Sequence, residues 1–417
     1  MNGSLSVCAI IHSSFGKRSS QRGGVFPKSI SQEHFRRAEL HEAHSVPLKP
    51  VRASCNSALR IIGVRPFCQH ALTSAATFSR RAFRLLRLGM AVAALDACAQ
   101  TSTPPALSKV EPATDRLVQL ASRGIRAHDP STIVKCGDEY WLCATGNGIV
   151  SWHSKDLLTW TAGPRVFTNP PAWTTNMVPG NRGYFWAPDV IHVGNRYLLY
   201  YSVSTWGKNT SAIGLTTNPT LDPAATNYAW SDAGPVIRSK GEDPFNAIDP
   251  AVTVDGSGGL WLAFGSFWNG IMLVQLDPAT GQRLVPDSPL YSLASKEQIE
   301  AACIYPHRGH YYLFVNWGAC CRGTNSTYNI RVGRSDRITG PYLDQSGVDL
   351  LAGGGSLLVG SSGRFIGPGH AGIVSRDGAD WFSCHFYDGT RGGIPTLALL
   401  PLRWDTSGWP RVMVESK

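Results

Sequence analysis

The sequence predicts an all-β fold, a five-bladed β-propeller of four-stranded antiparallel blades. Three observations lead there. A pattern of an acidic or polar residue, an apolar run, a Gly/Asp/Asn turn and an aromatic-rich apolar run recurs five times. Its leading residues Asp129, Asp189, Asp249, Glu300 and His370 stand 60, 60, 51 and 70 residues apart. No long stretch of residues 113–417 carries the 3.6-residue apolar period of a helical domain.

Each element follows from local chemistry. The five copies are HDPSTIVKCGDEYWLCAT (128–145), APDVIHVGNRYLLYYSV (187–203), IDPAVTVDGSGGLWLAFGS (248–266), EAACIYPHRGHYYLFVNWG (300–318) and GHAGIVSRDGADWFSCHFY (369–387). Each reads as a β-hairpin, two strand-length apolar runs joined by turn residues. A second hairpin is expected after each, at 148–167, 213–237, 270–284, 330–351 and 397–414. Four strands per unit and five units is the arithmetic of a propeller. A parallel β-helix needs shorter repeats, and a sandwich does not need five matched units.

Charge divides the chain in two. Of 417 residues, the first hundred carry fourteen Lys/Arg and four Asp/Glu, while the remainder holds twenty-five of each sign. A neutral body argues against a nucleic-acid partner, which requires a basic face to neutralise phosphates. Residues 1–112 read as a basic leader that builds no core of its own, and 113–417 as the propeller. Within the leader, Arg80, Arg81, Arg84 and Arg87 precede a short apolar run and then Ala97-Cys98-Ala99, a signal-like segment at about 80–99. The run is too short for a transmembrane span. The expected location is secreted or periplasmic, with Cys98 a candidate lipid-attachment point; Asp96 fits a signal poorly, and Met90 is an alternative start. Six of the ten cysteines fall in the propeller, and their pairing is not readable. Cys136 and Cys143 flank one turn, so cross-strand pairing and buried thiols are both open.

The leading side chains of five inner strands converge on one mouth of a propeller. An isolated Asp-Pro is usually a turn starter. Four carboxylates and a histidine crowded into one channel cost stability unless the crowding has a use. Two carboxyl groups across a pocket can hydrolyse a glycosidic bond: one ionised as base, one protonated as acid, with inversion when they stand ~6.5–9.5 Å apart. Glu300, in the apolar setting Ile299-Glu300-Ala301-Ala302, is the natural acid. Asp129 and Asp249 are left for base and pKa tuner. Asp189 is either a structural carboxylate or a substrate contact.

These residues carry a family resemblance. HDPS (128–131), YFWAPDV (184–190), SVSTWGKNTSAIGL (202–215), NAIDPAV (246–252), GSFWNGI (265–271), IEAACIY (299–305), CCRGTNSTYNIRVGRS (320–335) and GPGHAG (367–372) follow one another in order. From about 120 to 414 the chain resembles the endo-acting 1,5-α-L-arabinanases of glycoside hydrolase family 43, which are five-bladed propellers. The resemblance implies Asp129 as general base, Glu300 as general acid and Asp249 as the residue that tunes the acid. It places substrate contacts at Asp129, Gly207, Asn246, Ala247, Ile248, Asp249, Ser266, Phe267 and Trp268. It also implies one calcium ion at His370, with waters completing the shell. Trp186 and Trp268 are candidate sugar platforms, whereas Trp160, Trp230 and Trp261 sit where strands pack. The expected substrate is plant cell-wall arabinan or arabino-oligosaccharides, and the expected state a monomer. The alternatives are an exo-acting arabinofuranosidase or β-xylosidase of the same fold, and a non-catalytic carbohydrate-binding propeller.

Overall fold

A computed structural model describes residues 124–412 and residue 414. The signal-like segment, Cys98 and the rest of the leader lie outside the described residues. The repeat read from the sequence becomes five antiparallel sheets in chain order. Blade 1 comprises Val134–Cys136, Glu139–Ala144, Val150–Ser154 and Thr161–Ala162. Blade 2 comprises Tyr184–Val193, Arg196–Val203, Ser211–Asn218 and Ser231–Ser239, extended at one edge by the two-residue strand Gly146–Asn147. Blade 3 holds Ala251–Val254, Leu260–Phe264, Ile271–Leu276 and Tyr291–Ala294. Blade 4 holds Ile299–His307, His310–Trp317, Asn329–Ser335 and Ser356–Val359. Blade 5 holds Phe365–Arg376, Ala379–Asp388, Ile394–Trp404 and Pro410–Val412. Among the described residues, no helix is long and apolar enough to cross a membrane.

Two outer strands differ from expectation. The fourth strand of blade 3 is Tyr291–Ala294, not the stretch ending at 284, where Arg283 makes only an isolated bridge to Leu276. In blade 4 it is Ser356–Val359, beyond 351. The intervening segments are Asx-type turns: Asp277 accepts from Ala279 N–H and Asp344 from Ser346 and Val348 N–H. Such turns resemble strand ends in sequence but hold the chain locally.

The second strand of each blade explains why these runs are apolar without alternation. Successive side chains point to opposite faces, and here both faces meet another blade. Leu199, Tyr201 and Val203 pack against blade 1, while Leu198 and Tyr200 pack against blade 3. Leu262 and Phe264 face blade 2, and Trp261 and Ala263 face blade 4. Leu313 and Val315 face blade 3, and Tyr312 and Phe314 face blade 5. Truncating one such leucine to alanine costs about 2–5 kcal/mol and opens one seam only. Trp261 is buried, and Trp160 and Trp230 pack against the cores, as their positions suggested.

The ring closes between blades 5 and 1. Ala127, Ile133, Tyr140, Leu142 and Ala144 share a core with Val374, Leu397 and Leu399. The segment ahead of blade 1 also pairs with blade 5, as Arg126 bridges Thr396 and Leu397 N–H donates to Ile125 O at 3.0 Å. That pairing holds the residues just before Asp129 in place.

Candidate active site

At the hub, one non-glycine residue per blade adopts a left-handed backbone: Asp129 (φ 49°), Ala187 (39°), Asp249 (56°), Ala301 (54°) and His370 (63°). In blades 2, 4 and 5 this residue sits in a register shift of the first strand. Such bulges re-aim side chains, and here they refine the expected equivalence. Asp129, Asp249 and His370 occupy the same position in their blades. Glu300 stands one residue earlier than that position, and Asp189 two residues later.

The offset decides what Asp189 does. Its carboxylate accepts Thr132 N–H at 2.9 Å and Val252 N–H at 2.8 Å, each three residues beyond a hub aspartate. Asp189 ties blades 1 and 3 together and is a structural carboxylate. Burial pushes it up to about 6.

Three carboxylates remain, in different surroundings. Asp129 Oδ2 contacts His128 Nδ1 at 2.7 Å and accepts the Thr145 hydroxyl at 2.6 Å. Its Oδ1 lies 3.6 Å from His370 Nδ1 and 3.7 Å from His385 Nδ1. Burial alone would raise Asp129, but His128, His370 and His385 outweigh it and hold the acid well below its usual range. Glu300 is buried and accepts the Ser266 hydroxyl at 2.6 Å. Burial, helped by the charge of Asp129 and opposed by the Ser266 bond, raises it to about 7. Asp249 is raised well above its ordinary value by burial and by the charges of Glu300 and Asp129. Its Oδ2 accepts Ala301 N–H at 3.2 Å, beside Glu300, and its own N–H donates to Ser202 Oγ at 2.9 Å.

The loop after the second strand of blade 3 delivers Ser266. Gly265 has φ 129°, and a Cβ there would stand 2.1 Å from Gly270 O, so only glycine fits. Phe267 N–H donates to Ile299 O at 2.7 Å, clamping the loop to the start of blade 4. Phe267 and Trp268 both have positive φ, at 54° and 38°. Such strain costs about 1–3 kcal/mol per residue and clusters at functional sites. Trp268 is 43% exposed at the mouth.

Asn246, Ala247 and Ile248 are buried and lead into Asp249. The Asn246 Oδ1 is buried without a partner, and Ala247 N–H donates to Ser239 Oγ at 2.9 Å. Trp186 pairs with Ser202, the residue that holds the Asp249 amide. Its ring meets Trp206 edge-on at 6.4 Å. Gly207 lies in the exposed turn beside Trp206, and among the described residues no hydrogen bond joins it to the carboxylates.

His370 is buried, its backbone N–H donates to Asn316 Oδ1 at 3.0 Å, and burial pushes its ring below the usual imidazole range. Among the described residues the ring makes no hydrogen bond. A neutral imidazole beside a carboxylate suits a cation, but it offers calcium one nitrogen and one oxygen, so waters would supply the rest. His128, Asp129 and His385 bring ligand atoms within 4.8 Å of one another. A metal among those three would compete with bonds that place Asp129, because His385 Nδ1 accepts the Asp129 N–H at 3.1 Å.

Residues 124–410 match Glycosyl hydrolases family 43. The chain belongs to glycoside hydrolase family 43. The hydrolase is 42% identical over 304 residues to the extracellular exo-α-(1→5)-L-arabinofuranosidase of Cellvibrio japonicus, covering 70% of this chain and 87% of the relative. It is 42% identical over 291 residues to the extracellular endo-α-(1→5)-L-arabinanase 1 of Bacillus subtilis, covering 68% and 86%. Among solved structures it is similar to Cellvibrio cellulosa α-L-arabinanase complexed with arabinohexaose, at 40% identity and a TM-score of 0.67, covering 70% of this chain and 96% of that one.

Sequence reasoning missed several residues of the hydrolase's site: His128, Thr145, Ser202, Trp206, Asn316, His385 and Tyr387. One signal was available. Ser383, His385 and Tyr387 alternate with Phe382, Cys384 and Phe386, a polar face on a strand otherwise buried in apolar core.

Proposed function

We propose that the protein hydrolyses internal α-1,5-L-arabinofuranosyl bonds of plant cell-wall arabinan and arabino-oligosaccharides, with inversion at the anomeric carbon. The observation that carries this reading is the separation of acidities. Asp129 is ionised at any working pH, while Glu300 sits near 7 and keeps a proton at and below neutrality. Paired carboxyl groups pushed apart in this way mark base and acid. Asp129 takes a proton from the attacking water, and Glu300 gives one to the departing sugar oxygen. Asp249 touches neither reacting atom. It acts on Glu300 by position, its Oδ2 holding the Ala301 amide next to that residue.

Trp186, Trp206 and Trp268 are apolar platforms for sugar faces at the mouth. Asn246 Oδ1, buried and unpartnered, is a waiting acceptor for a sugar hydroxyl. The names of the two relatives support arabinan as the substrate, and one of them makes exo-action the second reading. Calcium at His370 would add positive charge beside Asp129. The protein acts outside the cytoplasm, as its relatives named extracellular do, and a monomer is its expected state.

NMR of the first-formed anomer tests the mechanism: net retention would require a covalent intermediate and remove Asp129 from the role of base. Product lengths from linear arabinan separate the two modes, mixed oligomers indicating endo-action and a single small product exo-action.

A further inference from the structure

Behind Asp129 a line of polar contacts runs to a bond between neighbouring cysteines. Cys320 and Cys321 are joined by a disulfide, in the turn after the His310–Trp317 strand. Cys136, Cys143, Cys303 and Cys384 are free thiols, so the hairpin pair considered from the sequence does not form. Cys321 is exposed and has φ 67°. Its N–H donates to Tyr387 Oη at 2.7 Å. Tyr387 Oη contacts His128 Nε2 at 2.8 Å, and a Cys321 sulfur covers the same nitrogen at 3.8 Å. His128 Nδ1 then meets Asp129 Oδ2.

The consequence lies in which oxygen of Asp129 is free. Oδ2 takes both His128 and Thr145, whereas among the described residues no hydrogen bond reaches Oδ1, which stands 3.6 and 3.7 Å from the nitrogens of His370 and His385. Oδ1 is the oxygen left to face water. Its aim depends on His128, and the aim of His128 depends on Tyr387 and on the Cys321 amide. A disulfide between adjacent residues closes a small ring around their shared peptide, so that amide cannot swing. In an exposed turn without the ring it would sample other directions.

We propose that the Cys320–Cys321 turn and Tyr387 are positioning residues for the base, fixing His128 so that Asp129 presents Oδ1 to the attacking water. The inference rests on the reading of Asp129 as general base. Displacements of about 1 Å at a reacting group can cost about a hundredfold in rate, so a loosened His128 should be visible in kcat.

The test uses the full chain and arabino-oligosaccharide. Tris(2-carboxyethyl)phosphine reduces the bond: phosphorus gives two electrons, the S–S bond breaks, and water supplies two thiol protons and the oxygen of the phosphine oxide. The expected result is a kcat about tenfold lower or more, KM changed far less, and an unchanged circular dichroism spectrum. A Cys320→Ala, Cys321→Ala double variant should match the reduced enzyme and ignore phosphine, which separates this bond from every other cysteine. Tyr387→Phe should lose a similar factor, and combining it with the cysteine pair should add little, because both act through His128. If the double variant does not fold, phosphine-treated wild type and Tyr387→Phe carry the test. Full kcat in both overturns the proposal, as do losses that multiply. A change confined to KM also overturns it, and would make the disulfide a sugar-contact surface. Asp129→Asn distinguishes the two readings. If that variant is inactive while reduction is silent, only this inference fails; if it is active, the base assignment itself fails.

Discussion

Ser266→Ala gives a decisive reading of who owns the basic limb of the pH profile. The Ser266 hydroxyl donates to Glu300 Oε2 at 2.6 Å in a buried setting and works against the burial that raises Glu300 to about 7. A hydrogen bond to an ionised carboxylate is worth ~1.5–3 kcal/mol, and one to a neutral acid ~0.5–1.5. Losing the bond therefore disfavours ionised Glu300 by about 1–1.5 kcal/mol more than the protonated form. At 1.36 kcal/mol per pKa unit, the group should rise by about one unit, to about 8. Since Glu300 must hold its proton to act as acid, activity should persist to higher pH in the variant. The assay is kcat/KM on arabino-oligosaccharide from pH 5 to 10. Any loss of sugar contact by Ser266 scales the whole curve without moving its limb. Asp249→Asn should leave the limb nearly in place, because burial and the charges of Glu300 and Asp129 raise Asp249 well above its ordinary value and keep it protonated while Glu300 titrates. A limb that stays fixed or moves down in Ser266→Ala would refute the assignment of Glu300 as acid.

Glu300→Ala should lose about 10²- to 10⁴-fold on arabinan and much less on an aryl arabinoside, whose phenolate leaves unprotonated, whereas Asp129→Ala should fail on both; a steady-state comparison of the two substrates checks this. Burial raises Asp189 to about 6, so the folded wild type should lose stability as pH climbs from about 4 through 6, by about 3 kcal/mol in total, and Asp189→Asn should lack that slope in urea midpoints measured across the range. Chelation and His370→Ala should each lower turnover with little change in the thermal midpoint; full activity after chelation, with no metal detected by elemental analysis, would leave His370 only its 3.6 Å approach to Asp129.

How much of this was legible is best seen at the hub. The sixty-residue period and the doubly apolar strands gave the propeller, because both faces of each blade must be covered and the chain writes that as unbroken apolar runs. Asp129, Asp249 and His370 were found at equivalent positions for the same reason. Glu300 and Asp189 were read as equivalent too, and they are not. Where a bulge falls depends on backbone pairing with the next strand, as in the shift between Glu300 and Cys303, and side-chain order does not encode it. His385 and Tyr387 were missed because their partners stand 256 and 259 residues away and meet them only when blade 5 closes on blade 1. The outer strands of blades 3 and 4 were misplaced because Asx turns and short edge strands share the same residue types.

The shared strand walls bear on how substrate reaches the carboxylates. Each second strand gives alternate side chains to two neighbours, and the last seam joins blade 5 to blade 1. An open solenoid can fray from its terminal repeat, but a closed ring has no terminal repeat, and parting any seam exposes a whole interblade core. Buried amides in all five blades should therefore exchange with solvent through one common opening, with a single free energy. Breathing between blades is then too rare to serve as a door. A polysaccharide must come to the hub carboxylates along the open mouth, past Trp206 and Trp268, and leave by the same face.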